Sequence, residues 1–233
     1  MTALTATHSN RRSPIYRRHS QLQAQFEQLA DAIIVNHYAD PAMEALLAAH
    51  LGLVDLSTLP RSGFKGAGAP DWATSQGVNL PDAPNRAIRQ SDHSLVARLS
   101  QQELLILADI NANSTLINSL NQQQLPAQTY SLPRADSHSW LTLTGSTAAE
   151  MLAKICAVDL RPQQFAQGQV AQTSVAKINA VVIRQDMGST LCFHILSDIA
   201  ATEFLWDCLL DAMAEYQGVA IGVAALRSLA APE

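Results

Sequence analysis

The residues able to do chemistry fall in two short stretches. The first is Ser91-Asp92-His93-Ser94, placed just before the apolar run Leu95-Val96-Ala97 and Arg98. A carboxylate at the start of a buried strand is held rigidly at a pocket mouth, where it can orient an amine or accept a proton. Asp, His and Ser side by side in sequence do not make a nucleophilic triad, which is defined by spatial roles. The same residues also read as an Asx turn leading into a strand, and the sequence leaves both readings open. The second stretch is Ser62-Gly63-Phe64-Lys65-Gly66, in which two glycines bracket the only lysine of the first half. Glycine lets a backbone turn tightly or approach a ligand closely. This loop either holds an anion or is a tight structural connection. Lys65, Asp92 and Arg98 are therefore the candidate pocket residues, and no residue is assigned a catalytic role.

Other chemistries leave no signal. The seven histidines are scattered, and none forms a ligand pair at helical spacing. Cys156, Cys192 and Cys208 are odd in number and lack CxxC spacing, which fits reduced thiols in a cytosol-like compartment and offers no metal site. There is no GxSxG elbow, Walker loop, HExxH or dinucleotide fingerprint, so no flavin is expected on this chain alone. A net charge of -5 and a pI near 5.8 argue against a binder of nucleic-acid phosphates. Apolar runs such as Val219–Leu226 fall well short of the roughly 20 residues that span a bilayer. Met1–Asn10 is polar, with no secretion signal core. A cytoplasmic location is expected.

The elements that must position these residues alternate in type. At 233 residues, 48% of them hydrophobic, the chain fits one large domain or two packed halves. Residues 1–14 are small, polar and basic, and read as a disordered tail. Tyr16–Leu29 reads as amphipathic, with Leu22, Phe26 and Leu29 at helical spacing. Ala32–Tyr38 is strand-like. Pro41–Leu51 is a helix with proline in its first turn. Leu95–Leu99 and Glu103–Asp109 form a hairpin, and Asn113–Gln122 is a helix. The Gln-rich stretch Asn121–Gln128 divides an N-terminal α+β half, 15–122, from a second half, 129–228. The second half reads β-α-β-β-β-α-β, a ferredoxin-like order. It comprises the strand Ser139–Thr144, a helix opened by a Thr147-to-Glu150 capping box, three strands, the helix Ala201–Tyr216 and a last strand, Val219–Leu226. Phe64-Lys65-Gly66 and Leu143-Thr144-Gly145 each join a strand to a helix, an echo too weak to establish a repeat.

Together these stretches resemble a known family. Asp55-Leu56-Ser57, Arg61, Gly63, Lys65-Gly66, Arg98-Leu99 and Glu103 are similar to the motifs of the gamma subunit of heterotetrameric sarcosine oxidase. That family lies within the superfamily of the glycine-cleavage T-protein and other folate-binding aminomethyltransferases. Ser13-Pro14-Ile15-Tyr16, His19, Tyr38, Leu143-x-Gly145-x-x-Ala148 and Cys156-x-x-Asp159-Leu160 extend the likeness over roughly Ser13 to Leu226. The resemblance implies a T-protein-like, folate-binding α+β fold of two packed halves, with the chain ending where the C-terminal barrel of T-proteins would begin. It also implies departures. The register gives His93-Ser94-Leu95 where T-protein-like enzymes place an aspartate, with Asp92 displaced outward. Gln172-Thr173-Ser174 stands where they carry a glutamate. The function implied is that of a non-catalytic gamma-like subunit in an amine-oxidising, one-carbon complex. Its partners would be large flavoprotein subunits, and flavin would sit only in those partners. The alternative implied is a free-standing, tetrahydrofolate-binding aminomethyltransferase relative that uses Lys65, Asp92 and Arg98.

Overall fold

The computed structural model describes residues 4–230. Of the stretch expected as a disordered tail, residues 1–3 lie outside the described residues and the remainder is held in place. Ala6 and Ser13 are buried, and Arg11 bridges to Ala32. The expected amphipathic segment Tyr16–Leu29 divides into two elements. Helix α1 (Tyr16–Gln21) ends, Gln23 turns the chain with a φ of +59°, and β1 (Gln25–Leu29) pairs with β2 (Ala32–His37) in a separate hairpin. The pairing sets Phe26 opposite Val35, an aromatic–β-branched contact that prevails over the helical spacing. Helix α2 (Pro41–Leu51) begins at the Asp40 carboxylate, which accepts from the amides of Ala42 and Met43 at 3.1 and 3.0 Å.

The main body is four layers deep. After α2 come β3 (Gly52–Asp55), β4 (Arg61–Lys65), α3 (Ala69–Ser75), β5 (Arg86–Arg89), β6 (Leu95–Ser100), β7 (Glu103–Leu107) and α4 (Leu116–Asn121). Then follow β8 (Tyr130–Leu132), α5 (Arg134–Ser137), β9 (His138–Thr144), α6 (Ala148–Leu152), β10 (Val170–Val175), β11 (Ile178–Arg184), β12 (Cys192–Asp198) and α7 (Thr202–Ala214). One sheet has the order β5-β6-β7-β4-β8, the other β10-β11-β12-β9-β3-β13, where β13 is Val219–Ala220. Period-two alternation sends Phe64, Val96, Leu104 and Ile106 against α3 and α4. Their neighbours Leu95, Ala97, Leu105 and Leu107 meet Trp140, Ile183 and Leu196 between the sheets. Leu141, Leu143, Phe193 and Ile195 pack against α6 and α7. Asn121–Gln128 is not a clean divide, because β3 of the first half lies beside β9 and β8 of the second half lies beside β4.

The echo between the halves is a structural repeat. β4-α3-β5-β6-β7 and β9-α6-β10-β11-β12 have the same element order and the same strand order in their sheets. Each leading strand ends in a glycine at the corner into its helix. Gly66 has φ +124° and Gly145 has φ +114°, values that favour glycine. A Cβ at either position would lie 2.0–2.2 Å from a backbone carbonyl oxygen, of Gln128 or His50. Each glycine amide donates to the carbonyl just ahead of the third strand of the meander, Gln102 in one half and Leu191 in the other, at 2.9 Å. The glycine-bracketed loop around Lys65 is thus a corner connection. Sequence shows only the two glycines of this repeat, because burial fixes residue size at the other positions and leaves identity free.

Two local expectations are corrected. Thr147 does not form a capping box: its hydroxyl donates to the His50 carbonyl at 3.0 Å, and no side chain caps α6. The expected last strand, Val219–Leu226, is a strand only to Ala220, and α8 (Val223–Ala230) follows. The buried Glu44 carboxylate sets that switch. It accepts from Gly222 N at 2.8 Å while also accepting from the amides of Tyr38 and Ala39. Val223 and Leu226, one helical turn apart, then bury together.

The connection Leu56–Pro60 carries the chain from one sheet to the other, between two buried charges. The Asp55 carboxylate accepts from Ser57 N at 2.8 Å, from the Ser13 hydroxyl and from His19 Nε2 at 2.9 Å. His19 Nδ1 meets the Tyr38 hydroxyl at 2.8 Å. Burial alone would raise the Asp55 pKa, but these hydrogen bonds outweigh it and hold the group below its usual value. The Arg61 guanidinium, 3% exposed, donates to the carbonyls of Ser57, Leu59, Ala135 and His138 at 2.7–3.0 Å. Burial lowers its pKa to about 10, so it stays charged at neutral pH. Replacing Arg61 with Met strands four carbonyls in a dry site. We expect a loss of at least about 3 kcal/mol, read as a lower urea midpoint; a loss under about 1 kcal/mol would refute this role for Arg61.

Candidate functional site

A cavity of about 390 Å³ opens where the two sheets part, near the end of their shared core. That is within the range of roughly 300–1,000 Å³ typical of small-molecule sites. The repeat supplies its walls. Arg89 ends β5, His93 sits in the turn before β6, and Asp109, Asn111 and Asn113 lie in the loop leaving β7. Gln185 follows β11, and His194 lies inside β12. Leu95, Trp140 and Met187 form the apolar floor.

His194 is the most constrained of these groups. It lies opposite Thr142 and Ile183 in the sheet and is 3% exposed. Its Nδ1 accepts from the Trp140 indole N–H at 3.1 Å and lies 2.9 Å from the Thr142 hydroxyl. An indole nitrogen only donates, so Nδ1 is the acceptor and the ring proton sits on Nε2. Burial, helped by Arg89, takes its pKa down to about 3. The ring is therefore neutral at physiological pH and presents an N–H with no protein partner among the described residues. Arg89, Asn111, Asn113 and Gln185 likewise make no side-chain hydrogen bond among the described residues. Asp109 differs: its carboxylate oxygens accept from Asn111 N at 2.6 Å and Ser114 N at 2.5 Å, closing its own loop. Of these free groups Arg89 and the His194 Nε2–H can only donate, while the three side-chain amides can donate or accept.

Lys65, Asp92 and Arg98 do not meet here. Lys65 is exposed, 4.0 Å from Glu103. The Arg98 guanidinium donates to the Pro81 carbonyl at 3.1 Å and to Gln101 Oε1 at 3.1 Å. Asp92 is a turn and cap residue. Its Oδ1 accepts from the Ser94 amide and hydroxyl at 3.1 and 2.6 Å, and its Oδ2 from the amides of Thr115 and Leu116 at 3.0 and 2.9 Å. Burial would raise its pKa, but the Ser94, Leu116 and Thr115 bonds lower it on balance. Of the stretch Ser91–Ser94, only His93 lines the cavity. Arg89, Gln185 and Trp140 left no sequence signal, because strand ends far apart in the chain bring them together. His194 left one, a polar residue alternating inside an apolar strand.

Residues 85–231 match the model of the GCVT N-terminal domain. The chain belongs to the GCVT family. Its GCVT-type fold is mixed α+β, as the two sheets and their covering helices show. It is 31% identical over 151 residues to sarcosine oxidase subunit gamma of Corynebacterium sp. (strain U-96), covering 64% of this chain and 70% of that protein. It is 22% identical over 221 residues to an aminomethyltransferase of Saccharopolyspora erythraea, 89% of this chain and 59% of that protein. The GCVT-type chain thus spans little more than half the length of the aminomethyltransferases it matches. Among solved structures it superposes on a chain of heterotetrameric sarcosine oxidase from Corynebacterium sp. U-96 in complex with pyrrole 2-carboxylate. The TM-score is 0.66 at 24% identity, over 96% of this chain and 98% of that one. It also superposes on glycine cleavage system aminomethyltransferase T from Bartonella henselae, with TM-score 0.74 at 20% identity, over 93% of this chain and 61% of that one.

Two outcomes follow from the geometry. Asp92→Ala removes a cap and a turn, and is expected to cost roughly 0.5–2 kcal/mol of stability. It should leave any tetrahydrofolate binding unchanged; calorimetric titration showing binding that vanishes in the variant would place Asp92 in a pocket after all. His194 has a depressed folded pKa, so the unfolded chain binds more protons between the unfolded value of 6.5 and the folded value of about 3. Its contribution is full above pH 6.5 and is lost as pH falls, at up to about 1.4 kcal/mol per pH unit. Urea melts of wild type and His194→Gln between pH 6.5 and 4.5 should show the steeper decline in wild type. Parallel slopes would contradict the neutral, buried ring.

Proposed function

We propose that this chain is a gamma-like subunit of a heteromeric sarcosine oxidase, with a structural and interaction role rather than a catalytic one. The observation that carries the reading is coverage. The chain matches nearly the whole length of a chain in the heterotetrameric enzyme, and 70% of a gamma subunit at 31% identity. The aminomethyltransferase likeness is lower in identity and leaves much of those proteins unmatched. The surface supports the same reading. Helix α2 carries Met43 and Leu46 outward, 54% and 70% exposed, on a helix apolar around most of its circumference. A helix of that composition is usually covered on more than one side. The partners under this reading are large flavoprotein subunits of an amine-oxidising complex in the cytoplasm, and flavin resides in them. No helix among the described residues is long and apolar enough to cross a membrane.

The second reading, a free-standing tetrahydrofolate-binding aminomethyltransferase relative, rests on the cavity between the sheets. A tagged chain purified from its native host under gentle conditions separates the two. The subunit reading expects stoichiometric co-purifying chains with flavin absorbance, an isolated chain without flavin, and weakened assembly in Leu46→Glu. A lone chain that transfers one-carbon units to tetrahydrofolate would overturn it.

A further inference from the structure

The repeat offers an internal control for the cavity between the sheets. In the first half Leu107 lies opposite Arg61 and Leu95, and Leu95 lies opposite Arg89. In the second half Leu196 lies opposite Trp140 and Val181, and Val181 lies opposite Gln172. Arg89 and Gln172 are therefore equivalent positions. Gln172 is spent on structure, donating to Asn85 Oδ1 at 2.9 Å and to the Leu99 carbonyl at 2.7 Å. Arg89 holds no such bond among the described residues, although it lines a cavity with an apolar floor. Its surroundings add the Nε2–H of His194 and the amide groups of Gln185, Asn111 and Asn113. The one carboxylate of the wall, Asp109, is engaged with its own loop.

We infer that the cavity is a binding site for a small organic carboxylate with an apolar body, its carboxylate held by Arg89 and by the Nε2–H of His194. A guanidinium matches a carboxylate with two parallel hydrogen bonds, and charge-assisted bonds are roughly twice as strong as neutral ones. The neutral His194 adds a donor without a second charge. Leu95, Trp140 and Met187 favour an apolar body over a bare inorganic anion such as phosphate. An amine substrate would meet the wrong charge at Arg89. This assignment goes beyond the subunit role and does not depend on it.

Calorimetric titration of the full chain with benzoate, its neutral isostere benzamide, inorganic phosphate and tetrahydrofolate tests it. Benzoate should bind at least about tenfold more tightly than benzamide or phosphate. Arg89→Gln, at an exposed side chain, should remove that preference while leaving the melting temperature and the benzamide affinity nearly unchanged. In ¹⁵N spectra, the His194 Nε2–H signal should shift with benzoate and not with benzamide. The inference is overturned if benzoate gives no binding heat at millimolar concentration, if benzamide or phosphate binds as well, or if Arg89→Gln leaves benzoate affinity intact. It is also overturned if tetrahydrofolate alone binds and does so equally in Arg89→Gln. Because the titration uses this chain by itself, its failure leaves the subunit reading standing, and the absence of partner chains leaves this site standing.

Discussion

The fold depends on how two opposite buried charges are satisfied at the crossing between its sheets. Asp55 ends a strand of one sheet and Arg61 begins a strand of the other. Moving an ion into a protein interior costs several kcal/mol, and that cost is offset only when its remaining hydrogen-bonding positions are filled. Asp55 fills them with Ser13, His19 and Ser57, and so recruits the N-terminal segment. Arg61 fills four of its five with carbonyls, only its Nε–H staying unpaired among the described residues, and so fixes the corner between α5 and β9. Neither set is complete until distant parts of the chain have arrived, so the two sheets and the N-terminal segment are coupled to one event.

The duplicated half-fold explains both the cavity and its asymmetry. Two meanders packed face to face present equivalent strand ends to each other. The same position is a glutamine sewn into the neighbouring half in one copy and an arginine with no hydrogen-bond partner among the described residues in the other. A repeat supplies the scaffold twice but requires each structural hydrogen bond only where the halves touch. Where they diverge, the equivalent side chain is released from structural duty.

Much of this architecture was legible in the sequence. Pro41–Leu51, with proline in its first turn, and the meander strands after Ser139 are readable because period and turn signals agree there. The segment Tyr16–Leu29 was misread because three apolar residues at helical spacing also suit a strand once Val35 stands opposite Phe26. Val219–Leu226 was misread because a β-branched apolar run does not reveal that Glu44, far away in sequence, claims the Gly222 amide. The candidate pocket residues lie outside the cavity between the sheets. The types of Lys65, Asp92 and Arg98 and their nearness to glycine or to a strand are visible in the sequence, but sequence does not show whether a charge is already occupied. Arg89 and Gln185 could not be found at all, since only the pairing of the sheets puts them on one wall.

Occupancy is the property that separates structural from available polar groups here. Glu44, Asp55, Asp92 and Asp109 each accept from backbone amides. Arg61 and Arg98 donate to backbone carbonyls. Asp40, Asp159, Asp186 and Asp198 likewise accept from backbone amides, so eight carboxylates in all hold turns and helix starts. Unspent groups include the polar side chains around the cavity between the sheets and, on the surface, Met43 and Leu46 of α2, with Phe204 and Tyr130 exposed elsewhere. The first suits a small ligand and the second suits another polypeptide.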